Sequence, residues 1–141
     1  EGKICSQNMI AQQPLLFPGT IRQNLCRGRE LSMDAIGAAC RAAGIDAEIE
    51  ALPGGYDTVL GPEGTPLSGG QKRRLCLARS LLREGNVFLF DEPTTGVDPR
   101  HIQELIGTLR ALAEEKLVIV ITHEPLLIQA ADTVTRLEAS Q

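Results

Sequence analysis

Two uninterrupted apolar runs do most to limit what this 141-residue chain can fold into. The first, Val87–Phe90, is followed at once by Asp91 and Glu92, and the second, Leu117–Ile121, leads through one threonine to His123. A continuous apolar run is typical of a strand that is buried on both faces of a parallel sheet. Parallel strands need long crossover connections, usually helices, so the pattern predicts an α/β protein.

The segments around these runs alternate between helix and strand signals. Asp98 and Pro99 suit the start of a helix, and its apolar residues share one face, namely Ile102, Leu105, Ile106, Leu109 and Leu112. We also expect strands at Ile4–Ala11 and Thr133–Leu137 and a helix at Pro125–Ala130. This order predicts right-handed crossovers, with helices on both faces of the sheet.

The part of the chain up to about Arg83 is predicted to be mainly helical. Ser32 is a suitable N-cap for a helix that Gly44 would end, with Ile36, Ala39, Cys40 and Ala43 on one face. A short helix at Asp46–Ala51 should follow, then a loop that runs from Pro53 to Pro66. Ser68 can cap the next helix, Gly69–Leu82.

Length and composition exclude several classes of protein. The chain is 43% hydrophobic, enough for one domain with a modest core, and its net charge of -4 argues against general binding to nucleic acid. The four cysteines form no C-x-x-C or Cys/His cluster, so neither a zinc site nor a disulfide framework is indicated. The longest apolar run is far shorter than the roughly 20 residues of a membrane-spanning helix. Because the chain opens with Glu1-Gly2-Lys3, we expect it to begin within a longer protein.

Three polar features could belong to a phosphate-binding site, although each also has an ordinary structural explanation. In Leu67–Gln71, Ser68 and two glycines would leave backbone N–H groups open at a helix start, where the dipole favours anions, but many ordinary helices begin in this way. Asp91 and Glu92 end a strand where parallel sheets present ligands, or they form a solvated turn. His123 could bind a terminal phosphate or serve only a structural hydrogen bond.

Taken in order, these features resemble the nucleotide-binding domain of ATP-binding cassette (ABC) proteins. The matching motifs are Gln12 in the loop before Leu16-Phe17, the signature Leu67–Gln71, the Walker B strand Val87–Glu92, the D-loop Gly96-Val97-Asp98 and the switch residue His123. Two further segments, Leu16–Leu25 and Leu52–Thr58, look like the helical subdomain of exporter-type cassettes. The chain contains no G-x-x-x-x-G-K-[ST] loop, the Walker A motif of such domains.

The resemblance implies a fold and a division of the chain. Residues 1–141 would form a partial nucleotide-binding domain of the P-loop NTPase-like α/β class, a parallel sheet that lacks its Walker A strand, together with an α-helical subdomain. The helical subdomain, with the signature motif, would cover about residues 20–82. Residues 1–19 and 83–141 would be the partial ATPase core.

The resemblance also implies roles for the site residues. Glu92 would act as the catalytic base, with His123 and Gln12 contacting the terminal phosphate and the attacking water. Asp91 and Gln12 would hold Mg²⁺. The remaining residues would bind ATP as part of the signature and D-loop, namely Ser68, Gly69, Gly70, Gln71 and Asp98. The basic residues that follow in the signature helix are interpreted as a solvated or ion-paired face, namely Lys72, Arg73, Arg74, Arg79 and Arg83.

The function implied is ATP binding and hydrolysis that powers transmembrane export, at the cytoplasmic face of a membrane. The expected partners are a second nucleotide-binding domain, in a head-to-tail dimer, and the transmembrane domains of the transporter, with no nucleic acid. Two alternatives stay open: a soluble cassette ATPase of DNA repair or translation, and a module that only presents its signature to a partner's ATP. Transmembrane helices encoded upstream would exclude the first alternative, and a Walker A motif there would exclude the second.

Two expectations concern the chain in isolation. Without a phosphate loop and its lysine, it should hydrolyse no ATP above background. It should also self-associate, because in the fold it resembles the absent strand lies between Leu117–Ile121 and the strand near Val134. Unpaired backbone groups and an exposed apolar strand edge favour pairing with another chain.

Overall fold

A computed structural model describes residues 7–9, 15–62, 64 and 66–138 of the chain. The strands are β1 (Gln7–Met9), β2 (Gly19–Thr20), β3 (Val59–Leu60), β4 (Val87–Asp91) and β5 (Leu117–Ile121). The helices are α1 (Ile21–Cys26), α2 (Met33–Ala42), α3 (Asp46–Glu50), α4 (Gly69–Leu81), α5 (Pro99–Ala113) and α6 (Pro125–Ala130), with a 3-10 turn at Gly55–Asp57. The helices and strands predicted from residue 32 to residue 130 are confirmed, with ends that differ by one or two residues.

The larger sheet has the order β1-β4-β5, and both pairings are parallel. Val87 lies opposite Leu117, and the register continues to the pair Asp91 and Ile121. Phe88 and Phe90 point to one face of β4, where their stacked rings are buried in the hydrophobic core with centroids 6.2 Å apart. The prediction of a parallel α/β sheet is therefore confirmed.

Strand β5 is buried on only one face in the described part of the chain. Val118 and Val120 pack against the core, whereas the alternate residues Leu117, Ile119 and Ile121 are 58%, 44% and 47% exposed. Among the described strands β5 pairs only with β4, so its other edge is an open strand edge.

One predicted strand is wrong. Within the described residues, 131–138 form no strand, and Val134 and Leu137 are exposed. A strand exists only where a neighbouring strand satisfies its N–H and C=O groups, and no described strand lies beside this segment. At the other end, Gln7–Met9 form a strand inside the predicted Ile4–Ala11, and the rest of that prediction lies outside the described residues.

The helical part contains an antiparallel strand pair that the sequence did not predict. Gly19 pairs with Leu60 and Thr20 with Val59, which joins two segments about 40 residues apart in the chain. The helix α1 begins directly after β2, because Thr20 and Gln23 form a capping box in which each side chain accepts from the other's backbone amide. The residues from Gly55 to Leu60, predicted as loop, thus belong to a 3-10 turn and a short strand.

A fully buried asparagine fixes the chain where it enters α1. Asn24 accepts the amide of Phe17 and donates to the carbonyl oxygens of Phe17 and Thr20, each at 3.0 Å. These bonds satisfy the side chain completely apart from one acceptor lone pair. The exporter-like segment Leu16–Leu25 is therefore held in its turn by hydrogen bonds from an asparagine within the segment.

The described cysteines, Cys26, Cys40 and Cys76, are free thiols with buried side chains. No helix among the described residues is long and apolar enough to cross a membrane.

Candidate functional site

The helix α4 begins with a capping box built from the L-S-G-G-Q motif. Ser68 Oγ accepts the amide of Gln71 at 3.1 Å, and Gln71 Oε1 accepts the amide of Ser68 at 2.9 Å. Both side chains are therefore engaged in starting the helix. Between them, Gly69 has no neighbour within 4 Å of where a Cβ would lie, so the first turn of α4 is open to approach.

The carboxyl end of β4 brings two predicted site residues together. Glu92 Oε1 lies 3.5 Å from Nε2 of His123, and Oε2 accepts the amide of His123 at 3.4 Å. The cause is the parallel register, since Glu92 and His123 each follow the end of one of two paired strands. The His123 side chain is 99% exposed and that of Glu92 27%, so the imidazole lies in solvent while the carboxylate is half-buried.

Glu92 also has an unusual backbone. Its φ of 48° lies in the left-handed region, which residues other than glycine rarely adopt. Its amide donates to the carbonyl oxygen of Ile121 at 2.7 Å, and its own carbonyl oxygen accepts the amide of Thr95 at 3.1 Å. This conformation makes the chain turn sharply directly after β4, and it places Glu92 at the carboxyl edge of the sheet.

The loop after β4 approaches the start of α4. Gly96 adopts a φ of 78°, and a Cβ added there would lie 3.8 Å from the Cα of Gly70. The amide of Val97 closes the turn by donating to the carbonyl oxygen of Thr94 at 3.0 Å. The predicted D-loop and the predicted signature motif thus lie side by side within one chain.

Asp98 caps α5 and is held by Arg100. Its Oδ1 accepts the Arg100 amide at 2.9 Å and Nε at 3.0 Å, and its Oδ2 accepts Nη2 at 3.0 Å. These bonds, the side-chain bond first, lower the pKa of Asp98 from 3.8 to about 2. The side-chain hydrogen bonds described for Asp98 all go to Arg100, so its carboxylate caps α5 in this structure.

Two arginines of α4 support the site, and the sequence interpretation missed them. Arg73 Nη2 donates to the carbonyl oxygen of Glu92 at 3.3 Å. Arg74 donates to the carbonyl oxygens of Gly70 and Gly44 at 3.2 and 2.8 Å. The predicted solvated or ion-paired face holds for Arg74, which forms an ion pair with Glu48 at 2.8 Å, but it did not include these bonds to backbone carbonyl oxygens. Only the spacing of Gly70 and Arg74 by one helical turn could have indicated a contact.

The donor set at the end of β4 fits a magnesium ion that is shared with a phosphate ligand. Asp91 supplies one carboxylate at the end of β4, and the described residues contain no group of three or more His, Cys, Asp or Glu side chains that could enclose a metal. Mg²⁺ is commonly held by one or two carboxylates while water and substrate phosphates complete its octahedron. The remaining predicted ligand, Gln12, lies outside the described residues.

The family described as "ABC transporter" matches residues 6–95, and one described as "AAA domain" matches residues 65–129. An "ABC-type transporter kk1G" of Curvularia clavata is 42% identical over 132 residues, 90% of this chain and 10% of that protein. An "ATM1-type heavy metal exporter" of Novosphingobium aromaticivorans is 38% identical over 131 residues, 92% of this chain and 22% of that protein.

A solved structure agrees with these relatives. The "Structure of a bacterial Atm1-family ABC exporter with ATP bound" matches with a TM-score of 0.75 and 37% identity, over 90% of this chain and 23% of the solved chain. The chain thus spans between a tenth and a quarter of the length of the proteins named here. By family match, sequence identity and fold, the chain belongs to the ABC transporter family.

Proposed function

We propose that this chain is part of the ATP-binding and ATP-hydrolysing domain of a transmembrane exporter, at the cytoplasmic face of the membrane. The observation that carries the proposal is the contact of Glu92 with His123 at the carboxyl edge of the parallel sheet, next to a loop that touches the L-S-G-G-Q helix. Open α/β sheets bind ligands at this edge. The exporter relatives support the transport assignment.

Glu92 has the position of a general base. Its half-buried carboxylate would orient a water molecule and take its proton as the water attacks the terminal phosphate of ATP. The exposed imidazole of His123 would donate a hydrogen bond to that phosphate, and Asp91 would be a ligand of Mg²⁺. Bound Mg²⁺ would supply neutralisation of the charge on the phosphate oxygens. Gln12 is proposed to reach the metal or the water.

The signature motif is proposed to bind the terminal phosphate of a second ATP molecule, through Ser68, Gly69, Gly70 and Gln71. Their open helix start would direct backbone N–H groups and the positive end of the helix dipole at a terminal phosphate. From the similarity to exporter cassettes, we propose a head-to-tail dimer in which each signature completes the partner's site. Asp98 is proposed to face the same interface. The dimer would act on transmembrane domains of the same exporter.

The test is Glu92→Gln in the full-length protein that carries this segment. The amide keeps the shape but accepts no proton, so we expect ATP turnover to fall roughly 100-fold or more while ATP binding is retained. Glu115→Gln, a charge-matched change at an exposed position of the α5–β5 connection, is the control and should leave turnover unchanged. Steady-state phosphate release and nucleotide binding measure the two quantities.

Undiminished turnover in the Glu92→Gln protein would contradict the assignment of the base. The isolated 141-residue chain should release no phosphate above background, because it contains no G-x-x-x-x-G-K-[ST] loop to cradle the phosphates. Magnesium-dependent turnover by this chain, abolished by Glu92→Gln, would show that the chain needs no such loop.

A further inference from the structure

The signature helix and the catalytic loop of this chain are joined by one side chain. Arg73, in the second turn of α4, donates from Nη2 to the backbone carbonyl oxygen of Glu92 at 3.3 Å. The two residues are 19 positions apart in the chain. The same carbonyl oxygen accepts the amide of Thr95 at 3.1 Å, so both of its lone pairs have a donor.

The direction of the Glu92 carboxylate depends on these bonds. A left-handed backbone at a residue other than glycine persists only where the surrounding structure holds it. Three contacts hold the Glu92 backbone: the amide bonds to Ile121, and the carbonyl oxygen accepts from Thr95 and Arg73. Two of these arise within β5 and the turn itself, and only the Arg73 contact arises from the signature helix.

The helix end that carries Arg73 is itself anchored on its other side. Arg74 Nη1 donates to the carbonyl oxygen of Gly44 at 2.8 Å and lies 2.8 Å from the Glu48 carboxylate. Its Nε donates to the carbonyl oxygen of Gly70, in the first turn of the same helix. Arg73 therefore extends from a helix that is bonded to α3 and to the loop before it, and a shift of that helix would move the donor away from Glu92.

We propose that Arg73 is a positioning residue that sets the orientation of Glu92 according to the position of the signature helix. The inference rests on the function proposed above. In the head-to-tail dimer, Glu92 acts on one ATP and the signature helix of the same chain contacts the other. The Arg73 contact then makes hydrolysis at one site depend on how the signature helix is seated at the second site.

The test compares Arg73→Gln with Arg73→Lys in the full-length protein. Glutamine is too short to reach the Glu92 carbonyl oxygen, so kcat should fall roughly 10-fold while KM for ATP stays within about twofold, since small displacements of a catalytic group can cost up to about 100-fold. Lysine retains a long cationic donor and should restore most of kcat. Lys72→Gln removes the same charge from an exposed neighbouring position and should change neither constant.

The results separate this inference from the function on which it rests. If Glu92→Gln abolishes turnover and Arg73→Gln does not change kcat, the positioning role is wrong and the ATPase assignment stands. If turnover does not depend on Glu92, the proposed ATPase function is wrong, and the positioning role of Arg73 is wrong with it. A melting temperature of the Arg73→Gln protein equal to that of the wild type, with rescue by lysine, supports positioning. An equal loss in the Arg73→Lys and Lys72→Gln proteins overturns it.

Discussion

The replacement Asn24→Ala tests how the exporter-like segment before α1 is stabilised. Asn24 is fully buried, and its side-chain amide makes three hydrogen bonds to the backbone of Phe17 and Thr20. Alanine removes all three, and the amide and carbonyl groups of Phe17 and the carbonyl oxygen of Thr20 lose these partners. We expect the segment to loosen and the whole domain to lose stability.

The magnitude follows from the number of bonds. A hydrogen bond within a protein contributes about 0.5 to 1.5 kcal/mol to stability, so three such bonds predict a loss of about 1.5 to 4.5 kcal/mol in the free energy of unfolding. This is a large share of the roughly 5 to 15 kcal/mol that stabilises an ordinary domain. The cavity left by the smaller side chain adds to the loss and does not oppose it.

Urea unfolding followed by circular dichroism gives the free energy of unfolding for each variant. Gln103→Ala, which removes an amide side chain from an exposed position on α5, is the matched control and should stay within about 0.5 kcal/mol of the wild type. An Asn24→Ala protein that also unfolds within about 0.5 kcal/mol of the wild type would refute the reasoning, because the three bonds would then contribute nothing measurable.

Two further predictions concern the core and the sheet edge. Burial raises the pKa of the Cys40 thiol from 9.0 to about 11. The contribution that this thiol makes to the free energy of unfolding is therefore fully present below pH 9 and is lost as the pH rises to 11. The Cys40 share of the loss is about 2 to 3 kcal/mol at most. Because the pKa values of Cys76 and Tyr56 are also raised, Cys40→Ala should reduce the loss of stability across that range and not abolish it. An identical pH dependence of the free energy of unfolding in Cys40→Ala and the wild type would contradict the prediction. Ile119→Lys, on the exposed face of β5, should weaken the self-association proposed for the isolated chain in a light-scattering concentration series. A wild-type chain that is monomeric at every concentration would exclude that association.

The parallel sheet and most helices could be predicted from the sequence because their signals are local. Val87–Phe90 is a short apolar run that ends at two carboxylates, which is typical of a buried parallel strand. Ser68 and Asp98 precede their helices as capping residues, and the structure shows both side chains accepting backbone amides. The meeting of Glu92 with His123 follows from the same reasoning, because the ends of paired parallel strands share one edge of the sheet.

The strand predicted at Thr133–Leu137 failed because a strand is not a local property. The β-branched residues Thr133, Val134 and Thr135 favour an extended chain, but extended residues become a strand only beside a partner that accepts their hydrogen bonds. The opposite error occurred at Gly19–Thr20 and Val59–Leu60. Both segments are too short to give a pattern of their own, and they form strands because the helices α1 to α4 bring them together.

The residues that support the site, and the asparagine that holds the entry to α1, escaped prediction for a different reason. Arg73, Arg74 and Asn24 all bond to backbone carbonyl oxygens, and every residue carries such an oxygen whatever its side chain. The acceptor therefore leaves no mark in the sequence, and the donor looks like any arginine of a charged helix face. A residue that performs chemistry must have a particular side chain, so a motif can reveal it. A residue that positions the motif needs only to reach the backbone, so it is found from the fold.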